Sequence, residues 1–251
     1  MPKGEVTVYL DTYFEQVDKV FRTIRETQLR AIRESAGAIT RSLSKGGALL
    51  IMDTGHMLRH EAFFRAGGML AVAPFSYELT LDNPIDQRKV NRTNAQLADL
   101  ERRTVAVALD QSKMQSGDVL IINSNSGRTT NVVEVALQCK GLGITTIGIS
   151  SREQMNRCEA AHPSGKKLFD VADICVDTCG PFGDAAVPVR DNEPMCPMSG
   201  LAATYVYWAI HAEAVEQLQD LGVNPSIFRS VHVSGHAFIE EQRKRFLERG
   251  I

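Results

Sequence analysis

Between residues 124 and 131 the chain reads Ser124-Asn125-Ser126-Gly127-Arg128-Thr129-Thr130-Asn131, and a helical pattern follows from Val132. Exposed backbone N–H groups and the positive end of a helix dipole attract an anion, and hydroxyls add neutral donors. A single Ser or Thr is enough to cap a helix. Four hydroxyls (Ser124, Ser126, Thr129 and Thr130) within seven residues point to a phosphate instead. Gly127 allows close backbone approach, and Asn125 and Arg128 belong to the same loop. Neither a GxxxxGKS/T loop nor a GxGxxG after a strand occurs, so a monophosphate on a small molecule fits better than a nucleotide.

A second group lies at Asp53-Thr54-Gly55-His56-Met57 and in the residues after it. Thr54 and Gly55 sit where a ligand loop would be. His56 and Glu61, with Arg59, His60 and Arg65 nearby, are the candidates for moving protons. Moving a proton between adjacent atoms of a ligand needs a base that carries it and an acid that serves the oxygens. The alternative for Glu61 is an ion pair with Arg65, four residues on. His56 and His60 at i,i+4, with His162 or Asp184, form a weak metal pattern that lacks the HExxH order; no metal and no cofactor are expected. Asp184, in Gly183-Asp184-Ala185, could touch ligand hydroxyls. Ser199 either faces the ligand or caps the next helix. Lys166 and Lys167, after His162-Pro163-Ser164-Gly165, read as a solvated basic turn.

These loops need strands to hold them. Short apolar runs at 48–53, 70–75, 118–125, 143–150 and 171–178 alternate with helical patterns at 56–66, 95–110 and 131–140. Near-continuous apolar strands alternating with helices imply an α/β fold whose parallel sheet is covered on both faces. Ligands bind such sheets at the C-terminal strand ends, where both loops lie. Residues 10–45 read as one long amphipathic helix, an arm that packs on the domain and on a second subunit near Phe21 and Ile24. Residues 181–200, rich in Pro, Gly and Asp, read as an irregular connection. Helix returns over 201–221 and around 237–249. No linker divides the chain, so 1–251 is read as a single domain with helical extensions at both ends.

With 28 basic and 30 acidic side chains in 251 residues, the net charge is -2. This argues against a general nucleic-acid binder, which needs a basic excess or a basic face. No apolar run is long enough for a membrane span, and residues 1–16 lack the apolar core of a signal peptide. Five scattered cysteines suit a reduced cytoplasm.

The stretch VLIINSNSGRTTNVVEVALQCKGLGITTIGISS resembles the signature of the sugar isomerase (SIS) phosphosugar-binding domain family. That signature runs from an apolar strand through Ser-x-Ser-Gly-x-Thr into a helix with a Glu, then to a second apolar strand ending in a hydroxyl. Ser124, Ser126, Gly127 and Thr129 stand at the phosphate-binding positions, and Glu134 lies in the helix. IMDTGHMLRHEAFFRAGG, HPSGKKLFDVADICVD and GPFGDA extend the likeness, to a subgroup of single-domain bacterial SIS proteins, over roughly residues 10–240. The resemblance implies a three-layer α/β/α fold with a five-stranded parallel sheet of flavodoxin-like order. It also implies a phosphorylated sugar as ligand, a Glu and a His for catalysis, and a homodimer or homotetramer with the ligand site near the interface, where His162 or His232 could reach a neighbour's pocket. Many members read Gly-x-Gly-x-Ser in the first loop. Met57 removes that hydroxyl here, and Asp53 brings a carboxylate. The implied activity is phosphosugar isomerisation, with an etherase or lyase behind it. The alternative is a non-catalytic phosphosugar sensor or regulator. A transcriptional regulator of this type would carry a helix-turn-helix domain, and residues 1–45 do not read as one.

Overall fold

The computed structural model describes residues 8–54, 58–82, 85 and 88–251, the side chain of Arg59 excepted. Gly55, His56 and Met57 lie outside the described residues. Five strands, β1 (Leu49–Asp53), β2 (Val72–Pro74), β3 (Val119–Asn123), β4 (Thr145–Ser150) and β5 (Ile174–Asp177), form one parallel sheet in the order β2-β1-β3-β4-β5. This is the flavodoxin-like order. The chain leaves β1 for β2 on one side and returns to β3 on the other, so the switch point lies between β1 and β3.

Period-two alternation sends successive strand side chains to opposite faces. Leu49, Ile51, Val119, Ile121, Ile147 and Ile149 pack under α1 (Tyr9–Thr27), α2 (Leu29–Leu43) and α8 (Ser199–Asp220). Met52, Leu120 and Ile122 pack under α4 (Asn94–Gln111), α5 (Thr130–Gly141) and α7 (Leu168–Val171). With both faces covered, every residue of β3 is buried, as its unbroken apolar sequence requires. Among the described residues there are three further helices: α3 (Leu58–Ala62), α6 (Arg152–Arg157) and α9 (Val231–Arg249).

Four expectations are corrected. The 10–45 helix is two helices, α1 and α2, parted at Gln28, whose Oε1 accepts the backbone N–H of Asp177 at 3.0 Å. Ile24 is fully buried and Phe21 stacks on Tyr205 within the chain at a 4.3 Å centroid distance, so these are not outward residues. The exposed large apolar residues of the arm are Leu10, Phe14 and Leu29. Residues 181–200 are not irregular: β6 (Ala185–Val189) and β7 (Asn192–Pro197) form an antiparallel hairpin with a bulge near Val187. An isolated two-stranded ribbon tolerates Pro188, Pro194 and Pro197 because its edges lack further partners. Of the expected 56–66 helix, the described residues show helix over Leu58–Ala62, and 63–66 lie outside it.

His211, on α8, accepts the backbone N–H of Met69 at Nε2, 3.1 Å away, and packs against the rings of Tyr207 and Trp208. Burial pushes its pKa down from 6.5 to about 4. The unfolded chain therefore takes up this proton near pH 6.5 while the folded chain resists it. The associated stability is full above that pH and is lost as pH falls towards 4, to a limit of about 3 kcal/mol. His211→Gln, which keeps an acceptor for Met69 but does not titrate, should flatten this part of the pH dependence in urea unfolding. An unchanged slope would refute it.

Candidate functional site

A cavity of about 610 Å³ opens at the C-terminal ends of β1 and β3. It is lined by Thr54 after β1, by Ser124, Asn125, Ser126, Thr129 and Asn131 between β3 and α5, and by Asp184, Pro197, Ser199, Gly200 and Leu201 from the hairpin and α8. Seven of the residues picked out in the sequence thus share one cavity. Among the described residues lining it there is no lysine or arginine.

The loop 124–131 is held from several sides. Ser124 N–H donates to Ile149 O at 3.0 Å, and Gly127 N–H donates to Ser124 Oγ at 3.3 Å. Asn125 O accepts Ser150 Oγ–H and the Ser151 N–H. Thr129 is the N-cap of α5, yet its side chain makes no capping bond, so its hydroxyl is not consumed by the helix. Thr129 and Asn131, at the start of α5, both line the cavity, and the N-terminus of a helix favours an anion.

Other residues of the motif work outward. Arg128 Nε donates to Glu159 O at 2.7 Å, and Thr130 Oγ1 donates to Ala161 O at 3.3 Å. Neither side chain lines the cavity. They bind the segment 159–168, whose Ala161 and Leu168 N–H groups return bonds to Arg128 O and Gly127 O. Gly127 has φ of 56°, and a Cβ placed on it would lie 2.6 Å from Met155 Cε and 3.0 Å from Leu168 Cβ. Its smallness is required by interior packing, not by ligand approach. His162 closes the same clamp: Nε2 meets Glu134 Oε2 at 2.9 Å, Nδ1 meets Ser164 Oγ at 2.7 Å, and Glu134 Oε1 accepts Gln138 Nε2 at 2.7 Å. The His162 and Glu134 side chains are 10% and 8% exposed, so His162 turns inward rather than towards a neighbour. Lys167 Nζ is bound to Met155 O.

Asp184, at φ of 68°, caps α8. Its Oδ1 accepts the Met198 and Ser199 N–H groups at 2.9 and 2.6 Å, and Oδ2 accepts Ser199 Oγ–H at 2.8 Å. Ser199 is the first residue of α8 rather than its cap. Asp53 lies across from Asn123, whose Nδ2 donates to Asp53 Oδ1 at 2.7 Å.

Glu61 does not line this cavity. It pairs with Arg65 at 3.4 Å and lines a neighbouring cavity of about 650 Å³ with His60, Thr204, Phe21, Tyr205, Trp208 and Ala209. Gly200 and Leu201 are walls of both cavities. Sequence reasoning missed this second cavity, and it missed Asn131, Pro197, Gly200 and Leu201 in the first. Asn131 and Gly200 directly follow residues that were identified, and Leu201 comes next in the chain. Among the described residues no cluster of three metal-ligating side chains occurs, and no helix is long and apolar enough to cross a membrane.

Comparisons with known proteins agree with this layout. A UPF0309 protein of Caldanaerobacter subterraneus is 31% identical over 247 residues, 96% of each chain. One from Shouchella clausii is 29% identical, covering 90% of this chain and 92% of that one. The fold matches phosphoheptose isomerase GmhA from Neisseria gonorrhoeae with a TM-score of 0.50 at 15% identity, over 84% of this chain and 97% of that one. It also matches a Bacteroides fragilis protein, to which a phosphosugar isomerase role in capsule formation is ascribed, with a TM-score of 0.53 at 17% identity over 94% of each. The SIS domain profile matches residues 12–151, from the first helix through the hydroxyl-rich loop to the end of β4. The chain belongs to the SIS domain family.

Proposed function

We propose that this protein binds a phosphorylated sugar, its phosphate against Ser124, Ser126, Thr129 and Asn131 at the N-terminus of α5, and isomerises it by proton transfer. The observation that carries this reading is the hydroxyl-lined cavity at the switch point, with an open helix terminus and no cationic side chain among its described walls. Neutral donors and a helix dipole hold one phosphate while leaving room for the sugar beside it. That a phosphoheptose isomerase shares the fold agrees with the reading. In the reaction, a carboxylate removes the proton from the carbon beside the carbonyl and returns it to the adjacent carbon, while an acid serves the oxygens. We assign the carboxylate to Glu61 and the acid to His56, which lies outside the described residues. Glu61 must release Arg65 to act.

A thermal-shift titration with glucose 6-phosphate and glucose tests the binding, since a ligand that binds only the folded state raises the melting temperature. The phosphate ester should shift the transition and the free sugar should not; equal shifts would overturn the reading. Ser126→Ala should weaken phosphosugar binding by about 1 to 2 kcal/mol, the scale of a hydrogen bond to a charged group. Glu61→Gln should lower turnover far more than binding. Solvent deuterium entering the carbon next to the carbonyl is the direct readout. The engagement of Glu61 by Arg65 favours a second reading, a non-catalytic phosphosugar-binding protein, and no exchange into any tightly bound phosphosugar would select it. We also infer that chains associate through the outer face of α1, where Leu10 and Phe14 are more than half exposed. A monomer by light scattering at micromolar concentration would refute this.

A further inference from the structure

The phosphate cradle and the proton-transfer candidate lie in different cavities. The first is walled by hydroxyls at the α5 terminus, and the second holds Glu61 and His60 beside aromatic rings. Their common wall is Gly200 and Leu201, in the first turn of α8. From Ser199, in the first cavity, to Trp208, in the second, is nine residues along one helix, about 14 Å at the rise of an α-helix. The second cavity continues from the shared wall along α8 to Trp208 and Ala209, and its volume of about 650 Å³ holds a further sugar ring. The chemistry of the second cavity is that of sugar-ring recognition. The C–H faces of a ring pack on aromatic side chains, here Tyr205 and Trp208, while its hydroxyls bond to carboxylate, imidazole and hydroxyl groups, here Glu61, His60 and Thr204. Phe21 stacks on Tyr205 at 8° and fixes that ring. The half-buried Trp208 is held edge-on by Tyr207 and His211.

Resting on the phosphosugar reading above, we propose that the ligand is a phosphorylated disaccharide. Its phosphate-bearing ring occupies the hydroxyl-lined cavity, and its reducing-end ring lies against Trp208. This places the carbonyl carbon beside Glu61, in the cavity where that carboxylate lies.

Trp208 is the single tryptophan of the chain, so its emission reports the second cavity directly. Emission and thermal shift should be followed with maltose 6′-phosphate, maltose, glucose 6-phosphate and inorganic phosphate. The expected result is that maltose 6′-phosphate binds at least tenfold tighter than glucose 6-phosphate and changes Trp208 emission. Glucose 6-phosphate should raise the melting temperature without changing emission. Thr204→Arg, which fills the cavity from its rim, should remove the tenfold preference and leave the glucose 6-phosphate shift intact. Trp208→Phe should keep part of the preference. Equal affinity for the two phosphates with silent emission would overturn the disaccharide and leave phosphosugar binding standing. Failure of both phosphates to bind would overturn the phosphosugar reading and the disaccharide with it. Emission that follows protein concentration in step with dimerisation, and ignores maltose 6′-phosphate, would assign the cavity to a second copy of the chain and also overturn the proposal.

Discussion

Gly127→Ala is expected to destabilise the protein by about 2 to 4 kcal/mol and to abolish the phosphate-dependent thermal shift, because strain at positive φ adds to overpacking. Gly127 stands at φ of 56°, where a Cβ is disfavoured. The same Cβ would sit 2.6 Å from Met155 Cε and 3.1 Å from Ser150 Oγ. Methionine is flexible enough to move its terminal methyl, but Leu168 Cβ, at 3.0 Å, is fixed by a helix whose first N–H donates to Gly127 O at 2.8 Å. The loop must therefore give way, and Ser126 and Thr129 move with it. Urea unfolding measures the first effect and a phosphosugar titration the second. A variant as stable as the parent would show that residue 127 does not occupy this conformation.

Glu134→Ala removes one partner of a buried pair. Truncating one side of such a pair leaves the other polar group buried and unmatched, at a cost of about 1 to 3 kcal/mol. The consequence here reaches the cavity. His162 would lose its Nε2 partner, and the segment 159–168 would lose the bond that seats it on α5, beside its links to Arg128, Gly127 and Thr130. Glu134→Gln, which can still bond to His162, should cost less than half as much. A double-mutant cycle with His162→Ala checks the pairing: purely additive losses would mean that the two side chains do not act together.

The sheet was legible because its signal is local. Ile, Leu and Val run unbroken through 119–122 and recur near 144–150, and strands buried on both faces need no other mark. The loop 124–131 was legible for the same reason, since its hydroxyls and the helix they precede are neighbours in sequence. What escaped depends on distant partners. Gln28 parts α1 from α2 by binding Asp177, 149 residues away, and no pattern around Gln28 announces it. The prolines of 185–197 read as breakers, whereas a two-stranded ribbon consists of edge strands, where proline is tolerated. Arg128 and Thr130 belong to the motif by spacing, but their side chains were claimed by a segment thirty residues on. The aromatic cavity joins α1, α3 and α8, and only the folded chain brings Phe21, Glu61 and Trp208 together.

Two helix termini, those of α5 and α8, converge on one cavity, and they differ in one respect. Asp184 already fills the α8 end with a carboxylate belonging to the chain, held by two backbone N–H groups and the Ser199 hydroxyl. The α8 terminus thus carries a built-in counter-ion, while α5 offers its terminus to an incoming guest. A sugar esterified at both ends would find one vacancy, and its second phosphate would be set against a fixed negative charge. On the phosphosugar reading proposed above, such a site counts phosphates: one is drawn in, a second is repelled, and a bisphosphate should compete less well than its own monophosphate.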